Sequence, residues 1–197
     1  GGDLRLSFTS VDRNPVSAAA YTGVEGVEVA TEVALATAEA GTTQAALVVA
    51  GEGFARVTGR QPPASTDALE VRVASGLAAR LGVAVGDDVP LRVAGVSTSL
   101  TARVAEIGPV PGTGETGMLV ARSALERLVP GDAAALAIDE VWLAASDPES
   151  TAARVRAASD RPTTVLTPAG ASSRAVTDAG ALATGVAAAV VVLVALG

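Results

Sequence analysis

Residues 70–93 read EVRVASGLAARLGVAVGDDVPLRV. Leu69, Val71 and Val73 alternate with Glu70 and Arg72, the period of a strand with one buried face. Ser75 to Leu81 follows as a short helix carrying Leu77 and Leu81 four residues apart, and Gly82 suits its C-cap. Gly86-Asp87 reads as a tight turn, and Val89, Leu91 and Val93 as the strand that leaves it. A strand, one short helix, a turn and a strand in so few residues mark the middle of the chain as β-rich.

Downstream, a strand is expected from Leu100 to Ile107, then the loop GPVPGTGETG and a strand from Met118 to Ala121. Ser123 and Glu126 have capping-box spacing for a helix carrying Leu125, Leu128 and Val129, which Pro130-Gly131 should stop. The pattern changes at Asp139. Val141-Trp142-Leu143 reads as a strand, and Asp147-Pro148-Glu149 as an N-cap, a proline at the first helical position and an acidic first turn. That helix runs to about Ala158, and Thr163 to Thr167 is a strand. Upstream, Leu4, Leu6 and Phe8 alternate with polar residues. Asn14-Pro15 opens a short helix to about Tyr21. Val27 to Leu35 and Gln44 to Ala50 are strands, joined through a turn at Ala40-Gly41-Thr42. Arg60 to Asp67 (RQPPASTD) is a proline and serine break.

The expected class is α+β: two β-α-β units form one layered subdomain, a β-rich insertion interrupts it, and a C-terminal apolar transmembrane helix closes the chain. The boundaries follow: 1–60, first half of the α/β subdomain; 68–137, the inserted β-rich subdomain; 138–170, the second half; 171–197, a helix entering the membrane. Ala179 to Gly197 carries no charge. At about 1.5 Å per residue it nearly spans a hydrocarbon core of roughly 30 Å. No basic cluster ahead of it marks a cytoplasmic side. No signal peptide precedes Leu4, so the chain is expected to be a fragment of a longer protein.

Composition removes much chemistry. Over 197 residues the net charge is −7, all 14 basic residues are Arg, and His and Cys are absent. Mean hydropathy is +0.44, high for a chain with 18% charged residues. There can be no disulfide, thiolate nucleophile, imidazole base, Schiff-base lysine or P-loop lysine. With few aromatic residues and an acidic balance, no nucleic acid partner is expected. An enzyme would have to work with carboxylates, hydroxyls and Arg.

No motif reaches a catalytic constellation. Gly112 to Gly117 (GTGETG) matches G-x-G-x-x-G, but a dinucleotide site needs a helix after the glycines, and here a strand follows. Asp87-Asp88 is expected to do turn chemistry. Glu28 and Glu32 share a strand face and read as solvated, as do Arg154 and Arg156 on their helix. Trp142 is expected in the core. No catalytic residue, metal ligand or cofactor is assigned.

The order of elements resembles the extracytoplasmic domain of FtsX-like (MacB-like) ABC transporter permeases. The stretch EVRVASGLAARLGVAVGDDVPLRV, the helix LVARSALERLV, the strand-to-helix step EVWLAASDPEST, the segment VEGVEVATEVALA and the closing apolar helix carry the resemblance. It implies a non-catalytic domain at the cell membrane, on the extracytoplasmic side. Its partners would be the membrane, the ATP-binding subunit of an ABC transporter and a second permease copy. Its task would be to couple ATP hydrolysis to movement of a lipid, lipoprotein or peptide, or to regulation of a periplasmic or cell-wall partner. Joints are expected at Arg60–Asp67 and Pro130–Ala137. The rival readings are a membrane-tethered binding module with a small β-barrel and, last, a carboxylate hydrolase.

Overall fold

The computed structural model describes residues 2–8, 17–64, 67–159 and 163–166. Nine strands are described: β1 Gly2–Phe8, β2 Val27–Ala40, β3 Thr43–Ala50, β4 Leu69–Val73, β5 Asp88–Val93, β6 Leu100–Ile107, β7 Gly117–Ala121, β8 Glu140–Ala145 and β9 Thr163–Leu166. The α-helices are short: α1 Phe54–Thr58, α2 Ser75–Leu81, α3 Arg122–Leu128, α4 Pro130–Ala135 and α5 Pro148–Ala158. A 3-10 turn spans Ala18–Tyr21. The fold is α+β and dominated by sheet. The expected helix over 171–197 lies outside the described residues. Among the described residues, no helix is long and apolar enough to cross a membrane.

The chain divides into two compact units. Among the described residues, one holds those within 1–31 and 139–166, and the other those within 32–138. The chain crosses between them at Thr31–Glu32, inside β2, and at Ile138–Asp139. The joint expected at Arg60–Asp67 is therefore inside the second unit. The reason is the hairpin of β2 and β3. Its register runs unbroken from Val33↔Ala50 to Ala40↔Thr43 and ties β3 to the residues that follow.

In the first unit β1 pairs antiparallel with both β8 and β9. Leu4 and Leu6 lie opposite Leu143 and Val141, so the alternating residues read from sequence meet on one face. Helix α5 supplies Ala152 and Val155 to the same cluster, and Tyr21 and Val165 complete it. Asp147 caps α5 as expected: its Oδ1 accepts from the Ser150 amide at 3.3 Å, with Pro148 in the first turn. For the 3-10 turn the cap is Ser17, whose Oγ accepts from the Ala19 amide. Asn14 and Pro15 lie outside the described residues.

In the second unit the strands run in the order β3-β7-β4-β6-β5-β2, and β2 pairs back onto β3. The sheet is a closed ring of six strands. Two of its pairings are parallel, β3 with β7 and β4 with β6. Val48, Leu47, Val71, Leu91, Val104 and Leu119 are fully or almost fully buried in it. Helix α2 ends as expected at Gly82, whose φ is +67°. Helix α3 departs from expectation. Its N-cap is Ala121, with no side-chain cap, so Ser123 and Glu126 form no capping box. Strand β7 runs straight into the helix and leaves Ser123 inside the first turn. Pro130 does not end helical structure either; it opens α4.

Candidate functional site

The neighbouring parallel strands β3 and β7 end side by side, with Ala50 opposite Ala121. Beyond β3 the chain turns through Gly51–Gly53 into α1, and beyond β7 it enters α3 directly. Between these two exits lies a cavity of about 540 Å³, the size of a small-molecule site. Parallel strands place ligand sites beyond their carboxyl ends, where connections diverge and leave a crevice.

Small residues make the crevice. Alanine ends each strand. The Gly51 amide donates to the Glu32 carbonyl at 2.9 Å, and a Cβ on Gly51 would stand 2.6 Å from that oxygen, so the approach requires glycine. Gly53, at φ +86°, turns the chain into α1, and buried Phe54 anchors the helix.

The charged lining is Glu32, Glu52, Glu126 and Arg122, with Ser123 beside them. Glu52 and Glu126 are exposed, and Glu32 is half-buried. Arg122 is unusual. Its Nε and Nη2 are closed off from solvent and have no hydrogen-bond partner among the described residues. Buried donors without partners are rare and cost free energy.

Of the residues singled out from sequence, Glu32, Ser123 and Glu126 line the cavity, and Glu28 does not. GTGETG is a structural loop. Val110 bridges to Gly114, Gly112 and Gly114 have positive φ, and Gly117 opens β7 rather than a helix. Its Glu115 accepts from the Gly76 amide at 2.8 Å, capping α2 from a distance. Asp87 and Asp88 take separate partners. Asp87 closes its turn by accepting from the Ala84 amide at 2.8 Å, and Asp88 meets its cross-strand neighbour Arg103 at 3.3 Å. Trp142 is buried, as expected, with the Arg5 guanidinium 4.0 Å from its ring centre and its Nε1 donating to Glu140 Oε2 at 2.5 Å. Burial pushes the Glu140 carboxyl up, against the indole hydrogen bond and the Arg5 charge, which pull it down. Arg154 lies 3.7 Å from Glu25 on the surface, and Arg156 is half-buried.

Among the described residues no group of three or more carboxylates could hold a metal ion. The cavity was not legible in sequence. Glycines preceding Phe54 and alanines ending two strands were its only signals, and neither is distinctive without the parallel pairing.

No protein-family profile matches the chain, and no curated protein matches it in sequence. Solved structures do match in fold. The extracellular domain of the noncanonic ABC-type transporter YknZ from Gram-positive bacteria superposes with a TM-score of 0.51 at 16% identity, over 83% of this chain and 99% of that one. A domain of a putative permease protein from Porphyromonas gingivalis aligns with a TM-score of 0.44 at 16% identity, over 84% of this chain and 88% of that one. The chain has the fold of the extracellular domain of an ABC-type transporter, as represented by YknZ.

Proposed function

We propose that this chain is the extracytoplasmic domain of an ABC transporter permease of the FtsX-like, MacB-like kind. The fold likeness to the YknZ extracellular domain, over nearly all of that domain, carries the reading. In it, residues 171–197 enter the cell membrane as a helix, and a separate ATP-binding subunit hydrolyses ATP. The domain converts the resulting motion into movement of a lipid, lipoprotein or peptide, or into control of a partner outside the membrane. Support within the molecule is its division into two compact units, joined by the chain at Thr31–Glu32 and Ile138–Asp139.

The test starts from the gene. Apolar spans on both sides of residues 1–197 and an adjacent P-loop ATPase are expected. Reconstituted together in vesicles, the two proteins should show ATP hydrolysis that depends on the permease and uncouples when residues 32–138 are removed. A reading frame that stops soon after Gly197, with no ATPase beside it, overturns the proposal. It would favour a membrane-tethered binding module, for which the closed six-stranded ring is the supporting feature.

A further inference from the structure

Glu140 opens β8 and is the second residue after the chain crossing at Ile138–Asp139. Its pair with Ser7 is the outermost of the β1–β8 ladder, so that pair is backed by others on one side only. The residue is buried, and among the described residues its one side-chain hydrogen bond comes from the Trp142 indole, which donates to Oε2. A protonated carboxyl suits this place, since it keeps Oε2 as an acceptor and has no charge to solvate. An ionised one does not. A buried carboxylate needs several hydrogen bonds or a paired cation, and a single indole replaces little of its water.

The charges around it do not make up the difference. Arg5 on β1 attracts the carboxylate, but its guanidinium lies over the Trp142 ring, 4.0 Å from the centre. Asp139, next along the chain, repels it. Strand β9 brings the uncharged Thr163 and Thr164 to the far side of β1. The glutamates of β2, Glu28 and Glu32, are not among the charges that act on it. Helix α5 packs on the opposite face of β8, with Val141 and Leu143. Burial outweighs Arg5 and the indole, and the carboxyl titrates above its usual range. At the end of a ladder an ionised side chain can reach water by undoing one pair, which is the least costly kind of local opening. We propose that Glu140 is a proton-operated latch on the crossing at Ile138–Asp139: with its proton it stays packed against Trp142 and closes the start of β8, and without it the side chain leaves for water, the Ser7–Glu140 pair parts and the crossing gains slack. The inference does not depend on the transport reading.

Trp142 is the one tryptophan of the chain, so its emission and its indole N–H signal read this site alone. The experiment follows both in the whole chain from acid to neutral pH, together with hydrogen exchange at the amides of Glu140 and Val141, divided by the intrinsic rate at each pH. Both Trp142 signals should change in one transition. The latch is fully closed below the value of a free glutamate, about 4.3, and is released as pH rises through the higher value of the packed carboxyl. Exchange at the two amides should then quicken by about tenfold for each pH unit by which the transition exceeds the free value, while Leu4 and Leu143, deeper in the ladder, do not follow. Glu140→Gln, which cannot ionise, should abolish the transition and keep exchange slow at neutral pH. Asp139→Asn removes a repulsion and should move the midpoint down. The proposal is overturned if Trp142 shows no transition, if the transition survives in Glu140→Gln, or if the carboxyl titrates while exchange at Glu140 and Val141 stays unchanged. The side-chain carboxyl carbon of Glu140, followed by NMR in the unaltered protein, assigns the transition even if a variant does not fold.

Discussion

Arg72 on β4 and Glu106 on β6 face each other because the register of the two parallel strands slips between Val71 and Arg72. Val71 pairs with Val104, Arg72 pairs with Glu106, and Ala105 is skipped. Without the slip an alanine would stand opposite Arg72, a residue only 6% exposed. With it, Nη2 reaches Glu106 Oε2 at 2.6 Å and donates to the Gln61 carbonyl at 3.3 Å. Nε and Nη1 stay without partners among the described residues, so the pair is only just satisfied.

The two partners should therefore respond unequally to removal. Glu106→Ala leaves a buried cation with one weak acceptor and should cost about 1–3 kcal/mol. Arg72→Met removes the buried charge together with its unsatisfied donors and leaves a half-exposed glutamate. It should change stability by less than about 1 kcal/mol. Urea denaturation of both variants checks the order; an equal loss in the two would argue against it.

Glu115 should matter to a helix it does not belong to. Helix α2 has Ala74 at its N-cap and no side-chain acceptor of its own, so the Glu115 carboxylate takes the free Gly76 amide. Glu115→Ala should lower stability by about 0.5–2 kcal/mol, and Glu115→Gln, which keeps an acceptor oxygen, by less. Hydrogen exchange at Gly76 should speed up in the alanine variant.

Gly26 is locked by both conformation and space. Its φ is +93°, and a Cβ there would collide with Thr151 Oγ1 on α5. Gly26→Ala should cost about 2 kcal/mol or more. Adding Thr151→Ala should recover only part of the loss, because the backbone strain remains. Full recovery in thermal melts would show that the collision was the whole cost.

Glu140 predicts a pH slope of known sign. Its folded carboxyl is held above the usual range by burial, so the fold keeps a proton that the unfolded chain has already released. The protonated group's advantage is complete below the unfolded value, about 4.3, and is lost as pH rises through the higher folded value. Glu140→Gln keeps an acceptor for the Trp142 indole and should flatten this slope. Stability measured between pH 4 and neutrality should then fall less in the variant than in the parent. Asp147 works in the opposite sense. Its hydrogen bonds from Ser150 hold its carboxyl below the usual range, so its contribution is present above the unfolded value and fades as pH falls through the folded one. Asp147→Ala should remove that acid-side loss.

Local chemistry was legible in the sequence. Alternation placed β1 and β5, the apolar run Val141-Trp142-Leu143 placed β8, Asp147-Pro148 opened α5, and Gly82 closed α2, because each signal acts within a few residues. Helix α1 was not read, since FARVT is a single turn with too little periodicity to register. The capping box at Ser123 failed because β7 enters α3 without a loop. The parallel pairings of β3 with β7 and β4 with β6 join distant segments, and no periodicity encodes which strands will meet. The cavity and the isolation of Arg122 depend on one of those pairings, so the candidate site became visible only in three dimensions.

A ring has no ends. Each described strand of the second unit has a neighbour on both sides, so among the described residues none is wholly bare for another chain to add to by backbone hydrogen bonding. Closure of this kind removes the edge through which sheets most readily add strands from other copies. Its weakest seam is β4 with β7, whose register holds only Arg72↔Leu119 and Val73↔Met118. Under load or heat, that seam is where the circle should first part.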